Sequence, residues 1–152
     1  MPTIVIKAAT YTTLQKLKKL FLQTLATALT LQRFRSNVNA GRYNIAITNG
    51  TTFTLAPIWL VDNLPVDLTG YSADMQVRDV SNNLIVELST NNGKAVISAA
   101  LGQTTFTLTP TQTSAANLPV GNYTYAFNLT DGSSNVYQIL NGAFNVTASV
   151  IQ

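Results

Sequence analysis

Tyr123-Thr124-Tyr125-Ala126-Phe127-Asn128-Leu129-Thr130 alternates large apolar residues with small or polar ones. Side chains on a strand point to opposite sides in turn, so a period of two predicts a strand with Tyr123, Tyr125, Phe127 and Leu129 on one buried face. Thr124, Ala126, Asn128 and Thr130 then share a solvated face, as one side of an antiparallel sheet allows. Asp131-Gly132-Ser133-Ser134-Asn135 supplies the turn of a hairpin, and Val136 through Leu140 forms its return arm. Gly142 is expected to break or bulge that arm before Phe144 and Val146 finish it.

The same period runs back toward the N-terminus. Tyr71, Ala73, Met75 and Val77 face one way, while Ser72, Asp74, Gln76 and Arg78 face the other. Phe53, Leu55, Pro57 and Trp59 also alternate, and Pro57, which has no N–H to donate, marks an edge strand or a bulge. Tyr43, Ile45 and Ile47 lead to the turn signal Asn49-Gly50. Short strands at this spacing, about six to eight of them, predict a mainly β chain. The expected architecture is an antiparallel immunoglobulin-like β-sandwich over residues 43–152, with a small barrel as the other closure.

The pattern changes before residue 43. Thr3 to Ala8 reads as a short strand rich in β-branched residues, with no local partner, so it joins the body or adds to a neighbour's sheet. Thr12 or Thr13 then caps an amphipathic helix over residues 13–35. Leu14, Leu17, Phe21 and Leu25 lie on its apolar face, with Lys16 and Lys19 opposite. Such a helix needs a surface to lie against: its own β-domain, a subunit interface or a membrane surface. Ser36 to Gly41 reads as a linker, so residues 1–42 form an N-terminal extension for attachment or oligomerisation. The basic-then-apolar order of Lys16 to Leu31 imitates a targeting signal, yet the segment is expected to stay with the mature protein. Gln23, Thr24, Thr27 and Thr30 interrupt it, short of the ~20 apolar residues a membrane span needs.

Charge divides at the same place. Seven of the nine basic residues, Arg33 and Arg35 among them, precede residue 46, and all six acids lie beyond residue 60. The extension is thus a cationic arm suited to an anionic partner. Nucleic acid is one such partner, through phosphates and the aromatics Tyr11, Phe21, Phe34 and Tyr43. Solvated charge on an oligomer-facing arm is the commoner outcome, and Lys16, Lys19, Arg33 and Arg35 are the residues that would face an acidic partner.

The body offers little chemistry. The chain has no cysteine and no histidine, which removes thiol nucleophiles, imidazole acid–base catalysis and the common zinc sites. Asp74 and Arg78 share a strand face as a solvated pair, and Asp62 and Asp67 flank Leu64-Pro65 in a loop. Turn roles fit those aspartates better than cation binding. No Gly-x-Ser-x-Gly elbow or glycine-rich phosphate loop occurs. No catalytic, cofactor or metal-binding residue is expected, and the chain is read as a non-enzyme. Asn-x-Ser/Thr sequons begin at Asn49, Asn122, Asn128 and Asn145, as a Thr- and Asn-rich chain produces by chance.

An ordered set of turn motifs adds a resemblance. Gly50-Thr51-Thr52-Phe53-Thr54-Leu55, Val66-Asp67-Leu68-Thr69-Gly70-Tyr71 and Met75-Gln76-Val77-Arg78 come first. Asn92-Gly93, Leu118-Pro119-Val120-Gly121-Asn122-Tyr123-Thr124-Tyr125 and Leu140-Asn141-Gly142-Ala143-Phe144-Asn145-Val146 follow. Over roughly residues 49–148 the series resembles the small immunoglobulin-like structural proteins of tailed bacteriophages, similar to the N-terminal domain of the phage baseplate upper protein. Ala126 stands where that pattern leads one to expect an aspartate, and the basic arm has no counterpart in it. The resemblance implies a virion protein of the tail, baseplate or fibre attachment. Its partners would be other virion proteins and further copies of itself, with no membrane and no cofactor. A capsid decoration (cement) protein is the nearest alternative. A carbohydrate- or host-surface-binding module is the alternative of another class, and it would need Trp59, Tyr71 and Tyr137 exposed together.

Overall fold

The chain divides into two compact units, Met1–Val38 and Asn39–Gln152, and the computed structural model describes residues 40–150. The short strand, the amphipathic helix and the arm residues up to Arg35 named above lie outside the described residues. Within them the protein is mainly β, with several sheets. The strands are β1 (Gly41–Arg42), β2 (Ile45–Thr48), β3 (Phe53–Leu55), β4 (Leu60–Val61), β5 (Leu64–Pro65) and β6 (Ser72–Arg78). They continue with β7 (Leu84–Ser89), β8 (Ala95–Ser98), β9 (Gln103–Leu108), β10 (Gly121–Thr130) and β11 (Val136–Thr147).

A six-stranded sheet has the order β1-β11-β10-β6-β7, with β2 also on β11. A three-stranded sheet has the order β3-β9-β8, and β4-β5 make a small hairpin. Apart from β1 and β2, which run parallel to β11, every named pairing is antiparallel. Gly41 and Arg42, at the end of what reads as arm and linker, are therefore already part of the sheet.

The expected faces of β10 and β6 are the observed ones. Tyr125, Phe127, Leu129, Ala73, Met75 and Val77 are buried in one core with residues of the smaller sheet. Across it the Phe106 and Phe127 rings meet edge to face at 4.8 Å, and Phe53 and Phe144 at 5.7 Å. Edge-to-face contact lets the positive rim of one ring meet the negative face of the other.

Gly142 does not break its strand. The irregularity lies earlier: Phe127 pairs with Leu140 but Asn128 with Gln138, leaving Ile139 as the extra residue of a bulge. A bulge shifts the phase, so Tyr137 and Ile139 pack inward before it and Phe144 and Val146 after it. Gly142 serves a close approach instead. A Cβ there would run into the Tyr43 carbonyl oxygen, in the interruption between β1 and β2. That oxygen accepts the Tyr125 hydroxyl at 2.8 Å, and Asn44 Oδ1 accepts the Ala143 N–H at 3.0 Å. The segment between β1 and β2 thus sits on a site shaped by one missing side chain and one buried phenol.

Candidate functional site

The described carboxylates are mostly occupied with loops. The β6–β7 and β10–β11 hairpins close with the same pattern, Asp79-Val80-Ser81-Asn82-Asn83 and Asp131-Gly132-Ser133-Ser134-Asn135. In each, the aspartate accepts backbone N–H groups two and four residues on and the amide of the last asparagine. The fourth residue, Asn82 or Ser134, takes positive φ. These hydrogen bonds favour the ionised form and hold both carboxyls below the usual range, the Asn83 and Asn135 side chains contributing most. Asp67 does likewise for Thr69, whose hydroxyl and N–H lower it in turn. Asp62 and Asn63, both at positive φ, are the central residues of the β4–β5 hairpin, as a tight two-residue turn requires. Among the described residues no group of three or more His, Cys, Asp or Glu side chains can hold a metal ion. None of them forms a helix long and apolar enough to cross a membrane.

Trp59, Tyr71 and Tyr137 do come together. Trp59 lies 6.4 Å from Tyr71 and 5.5 Å from Tyr137, and the two tyrosine rings are 6.2 Å apart. Trp59 is buried, both tyrosines are half-buried, and the Tyr137 hydroxyl donates to Asp131 at 3.2 Å. The indole Nε1 has no hydrogen-bond acceptor among the described residues. The trio reads as a pillar between the hairpin loop and the core rather than an open stacking platform.

The outer face of the six-stranded sheet is concave and polar. A depression of about 370 Å³ is lined by Asp74, Gln76, Arg78, Thr124, Asn128 and Gln138, among others. Asp74 and Arg78 are not a direct pair there but are joined through the Gln76 amide. Gln76 donates to Asp74 Oδ2 at 3.0 Å and accepts from Arg78 Nη2 at 2.7 Å. Asp74 Oδ1 is buried without a partner among the described residues. Burial first, and Glu87 beside it second, push the Asp74 carboxyl above its ordinary range.

A second opening lies along the edge where β2 and β3 run past each other. A groove of about 400 Å³ there is lined by residues 43–48 and 51–55. Among the described residues β3 pairs only with β9, so it is an edge strand there, although the nitrogen of Pro57 faces β9 and not the free edge. Beyond Pro57 the bridge Ile58↔Gln103 keeps the register of the β3–β9 ladder. The proline interrupts the ladder without shifting it.

Among the sequons, Asn49 is buried and its Nδ2 donates to the carbonyls of Thr113 and Leu118, at 2.9 and 2.7 Å. It ties the first turn to the loop before β10 and leaves no amide hydrogen free. The Asp-x-Ser-x-Asn repeat is self-similarity that the sequence carries; the bulge in β11 depends on pairing and left no local mark.

No family model and no curated protein matches the chain. Among solved structures, CopC from Methylosinus trichosporium OB3b is similar to it at 14% identity and a TM-score of 0.38, covering 77% of this chain and 92% of that one. A likeness of that depth fixes neither topology nor function.

Proposed function

We propose that this chain is a non-enzymatic structural component of a tailed bacteriophage virion, of its tail, baseplate or fibre attachment. In this reading an immunoglobulin-like sandwich forms the rigid body, and the basic arm of residues 1–42 joins it to neighbouring proteins. One observation carries the reading: the motifs behind the resemblance are the corners of this fold. Asp67-Leu68-Thr69-Gly70 forms a side-chain-capped turn with Gly70 at φ +79°, and Gly93 takes φ +73° in the turn between β7 and β8. Leu140 to Val146 carries the bulge and the Gly142 crossing. In Leu118 to Tyr125 the Tyr123 hydroxyl donates to the Pro119 carbonyl at 2.9 Å. That bond matches the tyrosine corner of immunoglobulin-type sandwiches, in which a tyrosine early in the penultimate strand bonds back to the chain just upstream.

Strand order supports the sandwich. β3-β9-β8 matches the B-E-D order, and β11-β10-β6-β7 matches G-F-C with C′ at its edge. The leading strands differ: β1 and β2 lie beside β11, and no strand among the described residues takes the A position beside β3. The carboxylates engaged in turns suit a scaffold better than a catalyst.

Immunogold labelling of purified particles tests the assignment. Label at the tail, baseplate or fibre base is the expected result. Label over the capsid shell would replace it with the decoration reading, and absence from particles would overturn both.

A further inference from the structure

We propose that the open edge of β3 accepts the segment Thr3–Ala8 of a second copy of this chain, which adds to the smaller sheet as a further strand. The inference goes beyond the virion assignment and does not depend on it.

The pairing of β9 determines which groups face the opening. Thr107 N–H donates to Lys94 at 2.9 Å, and Thr104 N–H donates to Pro57 at 3.0 Å. Backbone direction alternates along a strand, so Thr104, Phe106 and Leu108 turn toward β3, while Gln103, Thr105 and Thr107 turn toward β8. By the same register, Phe53, Leu55 and Pro57 address β9, and Thr54, Ala56 and Ile58 hold their N–H and C=O groups toward the side that no strand among the described residues occupies. Proteins usually blunt such an edge with proline or charge. Here Pro57 sits at an inward-facing position, where it removes no outward donor, and none of Thr54, Ala56 and Ile58 is charged. Of the other outer strands, β7 carries Glu87 and β8 follows Lys94, while β2, which lines the same groove, is uncharged like β3.

The occupant must be extended, with apolar side chains on one side for the groove and tolerant residues on the other. Thr3-Ile4-Val5-Ile6-Lys7-Ala8 has that pattern: Ile4, Ile6 and Ala8 share one side, and Thr3, Val5 and Lys7 the other. It is the strand-like stretch among the residues that precede β1. The chain's own entry into the body is already committed to the other sheet, where Gly41 pairs with Leu140. Residues 9–40 lie between, and even as continuous helix they would reach about 48 Å at roughly 1.5 Å per residue, enough to meet a neighbour. Reciprocal exchange closes a two-fold dimer and leaves neither edge open.

The full-length chain, which has no cysteine of its own, tests this directly. Lys7→Cys in one preparation and Thr54→Cys in another are mixed and oxidised, and the disulfides are identified by mass spectrometry. The expected dominant product joins residue 7 of one copy to residue 54 of the other. Light scattering is expected to give twice the 16.4 kDa chain mass for the unaltered protein. That mass should fall to one chain in the Ile4→Asp/Ile6→Asp variant, which leaves the acceptor untouched. Ala56→Pro, which deletes only an outward-facing donor, should do the same. An unaltered protein that is monomeric and gives no 7–54 link overturns the proposal. So does a 7–54 link formed within one chain when both cysteines are placed in it and the sample is diluted, or a dimer that survives Ile4→Asp/Ile6→Asp.

Discussion

The two faces of the six-stranded sheet come from the same strands and behave differently. Inward, Met75, Val77, Phe127 and Phe144 are fully buried and make ordinary apolar contacts. Outward, Asp74, Gln76 and Arg78 form a hydrogen-bonded polar row in a depression, with one carboxylate oxygen out of reach of water and without a partner among the described residues. Alternation therefore sorts residues by side but does not make the polar side a merely wetted one. Long side chains around the depression half-bury it, and burial disfavours the charge of Asp74 there.

The contrast is sharpest on β10, where neighbours on the chain occupy opposite faces. Phe127→Ala is expected to cost about 3–5 kcal/mol, through lost apolar burial and the cavity left against Phe106. Asn128→Ala, on the outer face, should stay within about 0.5 kcal/mol. Denaturant unfolding of both variants measures the difference. Equal losses would mean that the outer face is covered as firmly as the inner one.

Gly142 is the place where backbone, not side chain, occupies the inner side. Gly142→Ala sets a methyl against the Tyr43 carbonyl, and a shift of the segment between β1 and β2 should cost about 1–3 kcal/mol, as overpacking does. Hydrogen exchange should then quicken at Tyr43, whose N–H donates to Asn141 at 2.9 Å, more than in β6. Uniform exchange across the sheet would break the link between this glycine and the crossing.

Tyr125 brings a polar atom into the inner layer. Burial, with Tyr43 contributing less, pushes its phenol up to about 12 from the ordinary 10.0. A raised phenol stabilises the fold below the unfolded value and loses that contribution as pH climbs through the folded one. Tyr125→Phe should cost about 1 kcal/mol at neutral pH for the lost hydrogen bond to Tyr43. The gap from the parent protein should narrow as pH rises from roughly 10 toward 12. A gap that is constant with pH would mean that the phenol ionises freely.

How much of this could be read from the sequence follows from which interactions are local. The faces of β6 and β10 were legible because one side of each meets the core; Pro57 pointed to an edge, but its missing donor faces β9 and only interrupts that ladder. β11 was misread at Gly142. Its phase changes at Ile139, and nothing in Gln138-Ile139-Leu140-Asn141 marks a bulge that only pairing with Phe127 and Asn128 defines. The joining of Asp74 to Arg78 through Gln76 was missed because spacing gives the shared side but not the reach of the side chain between them. The arm residues Leu14, Lys16, Leu17, Lys19, Phe21, Leu25, Arg33 and Arg35 remain an expectation from sequence.

Asp74 provides the finest discrimination between the faces, because the expected effect has the opposite sign. Its carboxyl is raised by desolvation and by Glu87, against a smaller pull from Arg78. A carboxyl raised in the folded state stabilises the fold while protonated, below the unfolded value, and loses that contribution as pH rises through the folded one. At neutral pH the charge is therefore a liability. Asp74→Asn keeps the shape and an acceptor for Gln76, gives Glu87 a neutral neighbour, and should raise Tm slightly at pH 7. The gain should shrink on acidification, as the parent carboxyl takes up its proton and becomes neutral too. Thermal melts of both proteins across the acid range measure this. A loss of stability at pH 7 would mean that Arg78 holds Asp74 as a working ion pair, which would make the outer face the solvated wall that alternation alone suggests.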